Sequence, residues 1–457
     1  MTGLLVLFAF SICTLWLFWR DVKERASVSS AVWIVLAWAV IYGSRPVTSW
    51  FSEADPGSYD EGNPVEALVY LCLIVAGVMV LRRRNIRWPA VVKDNGWLFL
   101  FYLFWLMSVL WSDYPVITLK RLVKDLGNVV MVLVLLTGRE PGEAVRAVFV
   151  RFAYVCIPLS IVLMRYFPEL GRAFAGYDRS AQMYVGVTTH KNTLGALALV
   201  AALFVLWDLL ELRGKWRGRR MAEKITRVAR GLVLLMCWYL LLLVDSATSL
   251  VCAVFGSLLL VGVRVPSVRR YPGRMEACGC GAALVLWLLD SEFNVKEAFV
   301  QSLGRDTTLT TRIDVWPILI AHQDNPLGGA GFNTFWAGRR LVELGERVGG
   351  IIQAHNGYLE TYLNGGWVGI GLLVILLVAA YRRIRRQFGI GSPEGSIRFV
   401  FVLLAIIYNV SEASFNKLSV LWFVTVFAIM EYRARPGSRP AVPDKGQSRS
   451  VVGAHRP

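Results

Sequence analysis

Charge is what this sequence has least of. Only 18% of its 457 residues are Asp, Glu, Lys or Arg, against 56% hydrophobic, a balance that excludes an ordinary soluble domain. Nucleotide and zinc motifs are missing as well. There is no P-loop, no Gly-x-Gly-x-x-Gly and no His-Glu-x-x-His, so ATP-driven and zinc-peptidase chemistries have no motif behind them. The seven cysteines lie in or beside apolar runs, and "ACGCG" lacks both zinc-site spacing and partner histidines; they read as small buried hydrophobes. Acidic residues are the scarcer sign, 32 against 49 Lys and Arg, giving a net charge of +17. In a soluble protein that excess would indicate nucleic acid. Here it sits in short loops between apolar runs, so topology accounts for it and no nucleic-acid partner is expected.

What the sequence has in abundance is long apolar runs. Each approaches the ~20 residues that cross a bilayer as a helix. Backbone groups in lipid must bond internally, so the runs are predicted to be helices. Thirteen spans are expected: 3–19, 30–44, 65–81, 97–111, 116–137, 143–164, 193–210, 231–244, 247–263, 277–290, 356–380, 397–411 and 418–432. The basic stretches "RDVKER", "LRRRNIRW", "ELRGKWRGRRMAEKITRVAR", "RVPSVRRYPGR", "YRRIRRQ" and "EYRARPGSRP" then all fall on one side. The positive-inside rule places that side in the cytoplasm, with the N-terminus outside. Residues 1–19 lack a basic n-region and read as an anchor. The fold class expected is an all-α polytopic integral membrane protein with about 12–13 transmembrane helices. One large extracytoplasmic loop, Ser291–His355, contains short helices. The domain organisation expected is ten helices over 1–290, the loop over 291–355, three helices over 356–432 and a disordered tail over 433–457. No long-period repeat is present.

Four stretches place unusual polar groups on the outer side of this topology. "WSDYPVITLKRLVKDLGNVVMVLVLL" begins a span with Lys120, Arg121 and Lys124. Lys120 and Lys124 share one helix face, while Arg121 and Asp125 share another and can pair. Snorkelling to headgroups would explain such cations; the functional reading is an anion seat, because charge within a membrane marks a site. "VGVTTHKNTLGALALV" sets His190, Lys191 and Asn192 at a helix start, where Thr189 or Asn192 can cap and a phosphate also fits. In the large loop, "GRDTTLTTRIDVWPILIAHQDNPLGGAGFNTFW" combines a helical pattern with a Gly/Pro turn. Arg312 stands out there, against the plainer reading of a surface pair with Asp314 or Asp306. His322 reads as a packed or solvated side chain. The fourth stretch is "GGIIQAHNGYLETYLNGGWVGIGLLVILLVAA". It opens an apolar span with His355, Asn356, Tyr358 and Glu360, where a helix-end histidine or cap is the plain reading. Yet imidazole accepts a proton near pH 7, which few side chains can do.

The order "TTRIDVW…NPLGGAGFNTF…AHNGYLETYLNGGWVGIGL" resembles the core signature of the O-antigen ligase and polymerase superfamily. That core falls at about residues 190–380. "THKNTLG", with "WSDYPVITLKR", resembles the exopolysaccharide-polymerase branch. "LLLVDSATSLV" is similar to the family's Ser/Thr-rich motif, and "NVSEASFNKLSVLW" to its Glu-bearing motif, so the likeness runs from about residue 111 to 422. The resemblance implies a membrane glycosyltransferase at the outer face of the bacterial inner membrane. It would polymerise or ligate undecaprenyl-diphosphate-linked glycan units. It implies catalytic roles for His355 and Arg312, and substrate-binding roles for Lys120, Arg121, Lys124, His190, Lys191, Asn356 and Glu412. The chain departs from the pattern at Thr311, where many relatives have Gly, and at Ala247 and Thr248, where many have Arg. Asp245, Ser246 and Ser249 are correspondingly weak candidates.

The partners this implies are a lipid-linked oligosaccharide donor, a glycan acceptor, membrane lipid, and chain-length regulator and export proteins. No cofactor is expected. Many glycosyltransferases hold a divalent ion with paired carboxylates, but the chain has no Asp-x-Asp, Asp290-Ser291-Glu292 being the nearest approach. Transfer is therefore expected to be metal-independent and, as one direct displacement, inverting. The alternatives are an O-antigen ligase acting on lipid A core, a transporter or flippase for the same lipid, and a scaffold of a secretion assembly. Transporters place charge and broken helices near the bilayer midplane, often within inverted repeats; the polar groups here lie at span ends, and no repeat is found.

Overall fold

The apolar runs fold as helices, since only a helix satisfies every backbone group from within the segment. The computed structural model describes residues 2–51, 63–175, 181–212, 221–265, 273, 309–347, 353–388 and 393–432. The helices are α1 (Thr2–Glu24), α2 (Val32–Gly43), α3 (Pro64–Arg82), α4 (Trp88–Asp94), α5 (Gly96–Met107), α6 (Pro115–Leu136), α7 (Pro141–Tyr166) and α8 (Pro168–Gly171). They continue as α9 (Lys191–Leu212), α10 (Met221–Leu243), α11 (Ala247–Gly262), α12 (Leu309–Ala321), α13 (Gly338–Arg347), α14 (Gly357–Phe388), α15 (Pro393–Ser411) and α16 (Val420–Ile429). A short antiparallel hairpin, β1 (Arg172–Ala175) and β2 (Ala181–Tyr184), precedes α9, with Arg172 opposite Tyr184.

Among the described residues, α1, α3, α7, α9, α10, α14 and α15 are long and apolar enough to cross a membrane, and α2, α5, α11 and α16 are shorter apolar helices. Helix α6 is equally long, but its first half is charged. Helices thus occupy twelve of the thirteen expected spans; the remaining one, 277–290, lies outside the described residues, as do 291–308 and the tail from 433. The chain is an all-α polytopic membrane protein. Its core is the contact of α2, α6, α7, α9, α15 and α16, where Trp38, Phe149, Phe204, Trp207 and Trp422 are fully buried. The outer helices leave apolar side chains uncovered, for example Leu4, Leu5 and Phe8 on α1 and Leu68 and Leu71 on α3. Such faces suit lipid.

Helix α14 is not the straight rod that its apolar run suggests. It breaks at Gly366, which has φ +60°. The amides released by the break are taken up by the large loop: Trp367 N–H donates to the Pro326 carbonyl (2.8 Å) and Val368 N–H to that of Leu327 (3.2 Å). Gly366 and Gly329 make the approach possible. A Cβ at either would lie 2.2–2.3 Å from backbone of the other segment, and both have positive φ. The loop also forms a small core of Leu319, Ala330, Phe335, Leu344, Ala354 and Leu363. It therefore reaches the first turns of α14 as a packed unit.

The two ends of the bundle differ. At one, Asp21, Arg25, Arg151, Asp208 and Arg230 form a buried ionic cluster. Arg25 meets Asp208 at 2.6 Å and also Asp21; Arg151 meets Asp21 at 2.8 Å; Arg230 meets Asp208 at 3.1 Å. The cluster ties α1, α7, α9 and α10 together. At the other end the first turns of α6, α9, α11, α14 and α16 meet the last turns of α2 and α15, and the candidate site residues whose side chains are described belong to that end.

Candidate active site at the helix ends

His355 precedes α14 and is held in the left-handed region at φ +50°. Asn356 follows and caps the helix, its Oδ1 accepting from Tyr358 N–H and Leu359 N–H, both at 3.0 Å, while its Nδ2 donates to the Val410 carbonyl (3.0 Å). The cap fixes where α14 begins and so where His355 stands. Glu412 follows α15 and is buried. Its carbonyl accepts from Gly357 N–H (3.0 Å), locking the start of α14 to the end of α15. Its carboxylate faces two groups: Oε2 lies 3.4 Å from His355 Nδ1, and Oε1 accepts from Asn192 Nδ2 at 2.8 Å. A histidine, a glutamate and the first turn of α9 thus form one constellation.

His190 closes that turn. Its Nδ1 accepts from Asn192 N–H at 3.2 Å, so the imidazole supplies the cap expected from Thr189 or Asn192. Lys191 pairs with Asp245 at 3.2 Å across an exposed contact. The Ser/Thr-rich turn packs beside them: Ser246 Oγ donates to Ser249 Oγ (3.0 Å), and Thr248 Oγ1 lies 2.8 Å from Ser411 Oγ, next to Glu412.

A second carboxylate lies behind His355. Glu360 is buried and accepts from Ala354 N–H (2.7 Å), Trp336 Nε1 (3.1 Å) and Lys417 Nζ (3.2 Å). Lys417 also donates to Gln353 Oε1 (3.2 Å), and Gln353 Nε2 lies 3.4 Å from His355 Nδ1. Lys417 and Gln353 were not singled out from sequence, although both lie inside the quoted motifs. Glu360 marked the opening of α14, but no spacing rule pairs it with a lysine 57 positions away.

The basic start of α6 joins the same end. Arg121 donates to the Asn333 carbonyl, and Asn333 Nδ2 donates to the Asn416 carbonyl beside Lys417. Lys124 lies 4.7 Å over the Tyr70 ring, a cation–π contact. Lys120 is exposed and forms no ion pair among the described residues. The expected Arg121–Asp125 pair does not form. Asp125 turns into the core, accepting from Tyr102 (2.8 Å), Trp422 Nε1 (2.9 Å), Asn128 (3.0 Å) and Tyr42 (3.3 Å). Buried carboxylates need several donors, and three aromatic side chains and an amide supply them where the guanidinium, pointing towards the loop, does not. Arg312 belongs to α12, but its side chain lies outside the described residues, so it is not placed relative to His355. His322 Nδ1 lies 2.7 Å from the Ile318 carbonyl and its Nε2 3.0 Å from Arg347, apart from the constellation.

Fold and site together define a multi-pass membrane protein with a polar, histidine-bearing cluster where its helices end. Residues 183–374 match the model of the family described as O-antigen ligase. The exopolysaccharide production protein ExoQ of Rhizobium meliloti (strain 1021) is 27% identical over 307 residues, which are 62% of this chain and 64% of that protein. The chain spans just under two thirds of that relative's length. Residues 183–374 are therefore similar to the O-antigen ligase family, and the chain is similar to an exopolysaccharide production protein. The family match encloses His190, Lys191, Arg312, His355 and Asn356, whereas α6 and Glu412 lie outside it.

Proposed function

We propose that the chain is a glycosyltransferase of the bacterial inner membrane that extends a lipid-diphosphate-linked glycan at the outer leaflet. The observation that carries this reading is the His355–Glu412 contact at a helix mouth. With an Nδ1–H donated to Glu412, Nε2 keeps its lone pair and can take the proton from an acceptor hydroxyl. The hydroxyl oxygen then forms a bond to C1 of the donor sugar as the C1–O bond to the diphosphate breaks. The proton goes to His355 and the electron pair leaves with the lipid diphosphate. A single displacement of this kind inverts the anomeric centre. Glu412 stabilises the imidazolium that forms.

The leaving group carries its charge at the depth of the helix ends. Lys120, Arg121 and Lys124, with Lys191 and Arg312, are the cations assigned to it; Arg offers two aligned hydrogen bonds to a diphosphate. Cations fixed in advance do the work that a divalent ion does elsewhere, so transfer proceeds without one. Asn356 and His190 act by holding the starts of α14 and α9.

Polymerisation is favoured over ligation because the relative is an exopolysaccharide production protein and "THKNTLG" resembles that branch. In that setting, chain-length and export proteins are the partners. The test is purified protein supplied with a lipid-linked donor. A ladder of longer lipid-linked chains supports the reading. Transfer to lipid A core would replace it with a ligase, and movement of unaltered donor between leaflets would replace it with a transporter.

A further inference from the structure

The end of the bundle opposite His355 carries a groove of about 320 Å³ between α4–α5 and α14, with Ile429 of α16 also lining it. Lys93, Asp94, Trp97, Leu100, Leu376 and Arg383 are among the residues that line it. Arg383 is held in place, because it donates to the Asp94 carbonyl (2.6 Å) and to that of Ile429. Small residues on α14, Ala379 and Ala380, leave the width open. Trp97 and Leu100 are exposed, giving the groove an apolar wall towards lipid and a tryptophan at the level where such side chains sit at membrane interfaces.

Two of the lining residues are unusual in their charges. The Lys93 ammonium and the Asp94 carboxylate are neighbours, yet neither forms a hydrogen bond or ion pair with any described side chain, including the other. At the ionic cluster of this same end every carboxylate meets an arginine. A free cation and a free carboxylate side by side over an apolar slot complement a ligand with a phosphate, an ammonium and a hydrocarbon chain.

We propose that this groove seats a glycerophospholipid with a phosphoethanolamine headgroup. The phosphate lies at Lys93 and the primary ammonium at Asp94, and one acyl chain descends along Leu100 and Leu376. Basic pockets between membrane helices bind phosphate headgroups by the same electrostatics. A purely anionic headgroup would face Asp94 without compensation. A choline headgroup has no N–H to donate to the carboxylate.

The full-length protein in mild detergent, offered equal amounts of phosphatidylethanolamine, phosphatidylglycerol and phosphatidylcholine, is read by native mass spectrometry. One retained phosphatidylethanolamine per chain is expected. Lys93→Ala and Asp94→Asn each lower its retention about two- to fivefold, as loss of an exposed charge contact does. Ala379→Trp, which fills the slot, abolishes it. Retention of phosphatidylglycerol in preference, equal retention of all three lipids, or retention indifferent to Asp94→Asn overturns the proposal. If a variant is poorly folded, its size-exclusion profile shows it, and the wild-type lipid preference still decides the question. The test involves no glycosyl transfer, so its outcome is independent of the reaction proposed above.

Discussion

Glu412→Gln separates a positioning carboxylate from a merely structural one, because the substitution keeps shape and changes one hydrogen-bonding role. Glu412 Oε1 accepts from Asn192 Nδ2 at 2.8 Å, and a glutamine carbonyl oxygen can do the same, so the tie between α9 and α15 survives. The other atom, 3.4 Å from His355 Nδ1, becomes an N–H donor. His355 must then present a lone pair at Nδ1 and carry its proton on Nε2, which is the wrong tautomer for a base. The transition state also loses a charge-assisted hydrogen bond to the imidazolium, worth about 1.5–3 kcal/mol. At 1.36 kcal/mol per decade of rate, that alone is roughly 10- to 150-fold. With the tautomer penalty, turnover falls by at least ~100-fold, within the range of general acid–base catalysis. KM for the donor changes little, since no diphosphate contact is lost. The assay is elongation of lipid-linked donor by purified protein, with thermal stability in detergent measured in parallel. Turnover within tenfold of wild type in a stably folded Glu412→Gln protein would refute the positioning argument.

The other expectations concern the same site. His355→Ala leaves expression and insertion unchanged, because the residue stands at a helix mouth and not in the core, but lowers polymer formation at least ~100-fold; near-normal polymer from a well-expressed variant removes the base. Arg312→Lys keeps charge and loses the planar fork, so activity drops markedly if diphosphate binds there; full activity in the Lys variant means that charge alone suffices, and full activity in Arg312→Ala makes it a surface residue. EDTA leaves transfer unchanged, measured with the purified protein and lipid-linked donor; inhibition reversed by magnesium or manganese would show that the fixed cations are not enough.

Much of the fold was legible because lipid imposes one rule, that apolar runs become helices. The same rule hid the break in α14. Its run reads as continuous, and nothing local says that Pro326 and Leu327, some forty positions earlier, supply the missing carbonyls. "NPLGGAGF" announced a turn, but only its docking shows that Gly329 serves one contact with Gly366 of "NGGW". The site was legible residue by residue and not as an arrangement. His355 and His190 stood out as polar groups at span ends, while Glu412 entered only through the resemblance of its motif. That Glu412 lies between His355 and Asn192 follows from how α9, α14 and α15 meet. Lys417 was hidden for the opposite reason: a lysine after an apolar span looks like an interfacial anchor, and its pairing with a buried glutamate belongs to tertiary structure.

The charges at the two ends of the bundle call for opposite outcomes on mutation. At the far end the ionic cluster is matched and buried: Asp208 meets both Arg25 and Arg230, and Asp21 meets Arg25, Arg151 and Arg230. Removing one member there strands its partners, a cost of about 3–5 kcal/mol for a buried ion pair. At the near end Lys120 and Lys124 of α6 are not matched in this way. Lys120 is exposed without an ion pair among the described residues, and Lys124 rests on a ring face. Such cations add little to stability and leave a positive field where a diphosphate would gather charge. Asp208→Asn is therefore expected to lower the temperature at which detergent-solubilised protein aggregates, and the yield with it. Lys120→Ala is expected to leave both unchanged while reducing transfer. Fluorescence-detected size exclusion after a heating series measures the first, and the elongation assay the second. An unstable Lys120→Ala protein, or an Asp208→Asn protein as heat-resistant as wild type, would show that the division between structural and functional charge has been drawn in the wrong place.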